Sequence, residues 1–439
     1  MTNVNAVVFV VTFLSYGLYH SARKNLSEVK TSITHDWMDN TTHFPLFVSR
    51  EEANTFLGSL DAAFMIAYAF ALFFWGWLGD RLNPKHVVVT GMVRSAVMLI
   101  LFGCLPVWCN FYNIPYYMAT YFVFGLVQAC GWPNEIAIMV SLPYLICLYN
   151  KYISKNFFCK YFFLYLCKRF VPYTFFFNGL LMLLGGVAVM LSIDSEPKMV
   201  AQTEGEEAHT ESYERIQSGQ RDPVSIIDAV FLPGVLVYCL CNVCLKLVNY
   251  AFFFWLPLYL TETYHWKEYQ ADELSTFYDV GGIVGSVAGG YVSDKIGCRT
   301  PVVVIMLISS IGSLFFYTHA SSYIILNAVI MMMVGVTVSG PYNLIVSTIS
   351  IDLGSQPDLA SNEQAMSTVT GLLDGTGSIG SAVGQFFIPI MQKTYGWSYV
   401  FYLFMALNML ATVCILRRCA EDLRKLSTSS SELTPLLDE

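Results

Sequence analysis

Arg23 stands near the end of an apolar run, "NAVVFVVTFLSYGL" followed by "YHSARKNLSEVK", that is long enough to enter a bilayer. A charged side chain inside a spanning helix costs at least about 2.5–3.5 kcal/mol, so it needs an interior partner or a route to water. Tyr16 and His20 lie seven and three residues before it and share its helical face. A planar cation, a phenol and an imidazole together suit an oxyanion such as phosphate, which guanidinium binds with two parallel hydrogen bonds. The alternative is that Arg23 and Lys24 only anchor the end of the helix by snorkelling to headgroups.

A second cation, Lys246, sits in the middle of "FLPGVLVYCLCNVCLKLVNYAFFFWLPLYL", with Asn249 one turn on. Apolar residues flank it on both sides, so it is expected to face a central path; an ion pair with Asp279 or Asp374 is the competing reading. Tyr68 lies twelve residues before Asp80 and is either a substrate-facing or a packing tyrosine. Asp279 precedes Asp294 by fifteen residues, roughly 22 Å of helix, which suggests an interfacial gate or cap rather than a proton relay.

The elements that must hold these residues are membrane helices. The chain has 439 residues, 55% hydrophobic and only 13% charged, and its mean hydropathy is +0.53, far from the average soluble domain. Apolar windows recur at about 5–23, 56–78, 87–108, 115–133, 171–193, 231–260, 273–293, 301–318, 322–347, 364–391 and 397–416. The expected fold class is an all-α polytopic membrane protein of about 11–12 transmembrane helices. The first window lacks a basic leader and a small-residue cleavage site, and is kept as a span. The 12 cysteines have neither metal-ligand nor secreted-framework spacing and read as packing residues. Acidic and polar residues dominate 194–228, a solvated linker between a first bundle, 1–193, and a second, 229–416; 417–439 is expected to be a cytosolic disordered tail.

Both halves carry the same punctuation. "GWLGDRLNPK" follows the second window with Gly76, Asp80 and Arg81, and "GGYVSDKIGCR" follows the 273–293 window with Gly290, Asp294, Lys295 and Arg299. Two copies of Gly-x3-Asp-(Arg/Lys) at equivalent places indicate an internal parallel repeat, with acid and base tying helix ends together as gating loops. Gly281, Gly285 and Gly289, and later Gly371, Gly375, Gly380 and Gly384, form rows that let helices approach closely.

The paired loops resemble the signature of the major facilitator superfamily, whose fold is two six-helix bundles around a substrate path. "IAYAFALFFWGWLGDRLNPK", "CLKLVNYAFFFWLPLYL", "STFYDVGGIVG" and "TGLLDGTGSIGSAVGQ" further resemble its organophosphate:phosphate antiporters, the sugar phosphate exchangers in particular. The resemblance covers about 5–133 and 171–416. It implies exchange of a sugar phosphate or other organophosphate for inorganic phosphate, with no cofactor and no enzymatic activity. It also implies that Arg23 matches a phosphate-binding arginine, that Tyr68 matches a substrate-facing tyrosine, and that Arg23 and Lys246 clamp one phosphate from opposite halves. Bacterial relatives place an arginine nearer Asn249, so Lys246 is a departure.

One stretch departs from the family. Where a "NWFGK"-like loop and a Gly- and Ser-containing fifth helix belong, the region 134–170 contains "EIAIMVSLPYLICLYNKYISKNFFCKYFFLYLCKRF", whose composition from Tyr144 to Phe170 resembles translated AT-rich non-coding sequence. A divergent helix with basic flanks is the alternative, and some helix there is needed to keep the second half upright under the positive-inside tendency. A non-transporting isoform or membrane scaffold, with a possible accessory membrane subunit, is therefore an alternative function; transport of another organic anion is a further one. Asn40-Thr41-Thr42 is a glycosylation sequon in the first loop. The resemblance implies the endoplasmic reticulum membrane, whereas "ELTPLL", Glu432 to Leu437, resembles a lysosomal sorting signal. No Walker loop, metal cluster or nucleophilic triad is present, which argues against an ATP-driven pump or a membrane enzyme.

Overall fold

The computed structural model describes residues 3–39, 45–79, 82–140, 171–192, 226–320, 322–354 and 366–433. Asn40, Asp80, Arg81, most of 134–170, most of the acidic linker and the last six residues lie outside them. Among the described residues the fold is all-α. In chain order the principal helices are α1 (Asn3–Glu28), α2 (Lys30–Met38), α3 (Arg50–Gly79), α4 (Pro84–Gly103), α5 (Ile114–Gln128), α6 (Gly131–Val140) and α7 (Val171–Ser192). They continue with α8 (Val235–Tyr264), α9 (Glu268–Ile296), α10 (Thr300–Thr318), α11 (beginning at Ile324–Val334), α12 (Met366–Tyr395) and α13 (Trp397–Leu433).

Seven of these rods are long and apolar enough to cross a membrane: α3, α4, α7, α8, α10, α11 and α13. Large apolar side chains such as Phe70, Leu184, Ile305 and Phe316 point outward, where lipid would cover them. The helix starts are written in the sequence. Asn83 accepts a hydrogen bond from the Lys85 amide at 3.1 Å ahead of Pro84, and Asn113 does the same for Tyr116 at 3.1 Å ahead of Pro115. Gly297 closes α9 at φ 77°, in the left-handed region that favours glycine.

In the first half, α4 packs on α7, α3 on α5 and α1 on α7; in the second, α8 packs on α12 and α13, and α9 on α11. The halves meet mainly along α3 and α12, with α1 against α8. The glycine rows act as close-packing seams. A Cβ at Gly281 would lie 2.0 Å from the Met332 carbonyl oxygen, and one at Gly380 would lie 2.3 Å from that of Val243.

α11 continues through two π-helical turns, Gly335–Ser339 and Ile345–Ile349, before ending at Ser350–Gly354. Such turns inside an α-helix are rare and gather at functional sites. α13 runs from Trp397 to Leu433 and so continues past 417, where the tail was expected to begin. Arg417 with Glu421 and Arg418 with Asp422 pair one turn apart, and Asp422 accepts a hydrogen bond from Thr300.

On the side of the membrane opposite Asp294 and Arg299, the halves are joined. Ser27 donates to the carbonyls of Phe253 and Phe254 at 3.0 and 3.1 Å, and Ser32 donates to Glu268 at 2.8 Å. Lys393 pairs with Glu51 at 2.5 Å, and Asn54 donates to Glu262 at 3.4 Å.

Candidate functional site

α1 and α8 bring Arg23 and Lys246 into one cluster. Arg23, 1% exposed, donates from Nη1 to the Tyr250 hydroxyl at 2.8 Å and lies over the Tyr68 ring at 4.5 Å. Tyr250 is one turn beyond Lys246 on the same face of α8, and the Lys246 ammonium lies 5.2 Å from the Tyr68 ring and 5.0 Å from the Tyr250 ring. Four residues singled out from sequence or adjoining those singled out thus converge from three helices.

The two cations are held differently. Lys246 donates to the Asp374 carboxylate at 2.6 Å, to the Asp374 carbonyl at 3.0 Å and to the Ser378 hydroxyl at 2.6 Å, all on α12. That is the ion pair weighed as the competing reading, and it occupies the ammonium expected to clamp a phosphate. Arg23, in contrast, contacts no carboxylate among the described residues, and its buried Nε has no hydrogen-bond partner there. A buried charge held only by a phenol and a ring face is expensive unless an anion completes it.

Tyr16 and His20 are on the same wall as Arg23: their rings meet edge-on at 4.7 Å, and His20 packs 6.2 Å from Phe253. Both line a narrow central cavity of about 50 Å³, with Asn249, Tyr250, Tyr278, Ser339, Tyr342 and Asn343 on the opposite wall. This is well below the roughly 300 Å³ at which small-molecule sites begin, so the cavity is contracted.

Other expected residues lie apart from the cluster. Lys24 pairs with Asp279 at 2.8 Å, linking α1 to α9 across the halves. Asn249 accepts a hydrogen bond from the Tyr278 hydroxyl at 2.5 Å rather than joining Lys246. Of the gating-loop residues, Arg299 pairs with Asp294 at 2.9 Å and also with Asp352, while Lys295 is exposed. The pair of Lys30 with Asp61, at 2.5 Å and fully buried, holds α2 to α3, and the Lys30 ammonium lies 3.7 Å from the Trp255 ring of α8.

Sequence reasoning missed Tyr250, Tyr278, Ser339 and Asn343. A signal existed for the last two, which stand four apart in an otherwise apolar window and therefore share a helix face. Tyr250 likewise follows Lys246 by four residues.

Known proteins resemble the chain closely. The family model for the Major Facilitator Superfamily matches residues 32–142 and 161–362. "Sugar phosphate exchanger 3" of Gallus gallus is 39% identical over 448 residues, covering 92% of this chain and 89% of its own. The protein of the same name from Xenopus laevis is 36% identical over 482 residues, covering 98% and 96%. Among solved structures, the xylose transporter XylE from E. coli superposes with a TM-score of 0.68 at 13% identity, covering 95% of this chain and 98% of that one.

Proposed function

The chain belongs to the major facilitator superfamily and, within it, to the sugar phosphate exchanger family, and from that membership we propose that it exchanges an organophosphate for inorganic phosphate by alternating access. The observation that carries this reading to a residue is Arg23, a buried guanidinium that among the described residues touches no carboxylate and leaves its Nε unused. A phosphate oxygen would replace the Tyr250 hydroxyl as acceptor and take a second hydrogen bond from Nε, the paired geometry that guanidinium offers oxyanions. Tyr16 and His20 supply further contacts from the same wall. Lys246 and Tyr68 would join once Asp374 releases the ammonium.

Exchange follows from the same arrangement. An empty site leaves Arg23 uncompensated, which disfavours the closed intermediate through which the two halves must pass; either anion relieves the cost. The test is phosphate exchange in proteoliposomes. Arg23→Ala is expected to lower phosphate exchange at least about a hundredfold, the loss of a bidentate charged contact in a low-dielectric site. Exchange retained within twofold would overturn the role of Arg23, and uniport as fast as exchange would overturn the obligatory coupling.

The sequon at Asn40 supports a first loop facing a secretory lumen, consistent with residence in an endoplasmic reticulum or lysosomal membrane. A glycosidase-sensitive mobility shift lost in Asn40→Gln checks it.

A further inference from the structure

We propose that the uncharged polar wall of the second half, Asn249, Tyr278, Ser339 and Asn343, reads the hydroxyl groups of the organic part of the substrate. The inference rests on the exchange reading above and adds to it which part of the protein selects the sugar.

The cavity has a charged end and a neutral one. Arg23 reaches it through Tyr250, whose ring stands 6.3 Å from that of Tyr342. Beyond them lie the uncharged Asn249, Tyr278, Ser339 and Asn343 on α8, α9 and α11, beside Asp279 and Asp374, whose charges are met by Lys24 and Lys246. The Asn343 amide nitrogen donates to Ser286 at 3.1 Å and to Ser339 at 3.4 Å, and its carbonyl oxygen accepts nothing among the described residues. The Asn249 carbonyl accepts from Tyr278, and its amide nitrogen donates to nothing there. Whichever way each amide is turned, one of its polar atoms stays unused at a cavity wall.

A hydroxyl both donates and accepts, so a polyol matches an unused donor on one amide and an unused acceptor on another. Phosphate is the poorer match for this end, because the cations beside it, Lys24 and Lys246, are already paired with the Asp279 and Asp374 carboxylates that line the cavity. Those same carboxylates accept hydrogen bonds from hydroxyls. Tyr250, Tyr342 and Phe253 add ring faces for the carbon skeleton. The π-helical turn Gly335–Ser339 ends on Ser339 and the next begins two residues after Asn343, so the segment presenting these groups is bounded by two places where the helix can rewind.

The experiment measures how glucose 6-phosphate and inorganic phosphate each compete with labelled phosphate for exchange, in the full chain and in Asn343→Ala. The expected result is an inhibition constant for glucose 6-phosphate raised about five- to tenfold, with that of inorganic phosphate shifted less than twofold; one lost hydrogen bond to a ligand accounts for that size. Ser286→Ala removes a partner of Asn343 without touching the cavity lining, and is expected to leave the ratio of the two constants unchanged.

Equal weakening of both anions in Asn343→Ala, or a ratio shift of the same size in Ser286→Ala, would mean that the wall only supports packing and would overturn the proposal. No change in either constant overturns it too. If the unaltered chain exchanges no phosphate, the exchange reading itself fails, which is a different result from exchange without discrimination.

Discussion

Arg23 has a phenol and an aromatic face for company, while Lys246 has a carboxylate, a carbonyl and a hydroxyl. The difference predicts different mutant behaviour. Arg23→Lys keeps the charge but loses the planar fork, so exchange is expected to fall at least about tenfold while thermal stability changes little. Lys246 and Asp374 are both buried, and removing one strips the other of its opposite charge and leaves it only neutral partners, Tyr68 for Asp374 and Ser378 for Lys246, at a cost of about 3–5 kcal/mol. Asp374→Ala and Lys246→Ala are each expected to lower the melting temperature in detergent. The double variant is expected to recover most of that loss and none of the exchange. A double variant as unstable as the sum of the singles would show that the pair is not the source of the cost.

At the scale of helices, the glycine seams set what can be altered. Gly281→Leu forces a side chain into the Met332 carbonyl across the α9–α11 seam, and is expected to abolish folding, read as loss of the monodisperse peak in size-exclusion chromatography. Gly312, with nothing within 4 Å of a Cβ, is the control: Gly312→Ala is expected to fold normally.

Those seams were legible in the sequence because spacing of four residues is a local signal. The membrane helices were legible too, since apolar length decides whether backbone groups can be satisfied in lipid. Pairing between distant helices was legible only as a choice: Asp279 and Asp374 were both candidate partners for Lys246, which meets the second, 128 residues away, and nothing local says that Asn249 turns to Tyr278 instead of the cation beside it. Nor does anything local say that Asp422, past Arg417, accepts a hydrogen bond from Thr300.

The molecule as a whole is closed on the side opposite the Asp294 loop by contacts that cross between its halves. Alternating access requires those contacts to separate, so fixing them should stop transport. In a background with the native cysteines replaced, Asn54→Cys with Glu262→Cys joined by a short bifunctional thiol reagent is expected to abolish exchange, and cleavage of the linker to restore it. Exchange unaffected by a complete cross-link would mean that this face does not open. The isolation of Arg23 has an electrical consequence as well. Among the described residues Lys30 and Lys246 each pair with a carboxylate on their own half, whereas Arg23 touches none, so in a carrier returning empty its charge answers to the membrane field, at about 2.3 kcal/mol per elementary charge per 100 mV. Swapping two anions of equal charge moves no net charge. An imposed potassium diffusion potential should therefore leave the exchange rate flat while altering whatever slow leak the empty carrier permits, making the leak a voltmeter for a single guanidinium.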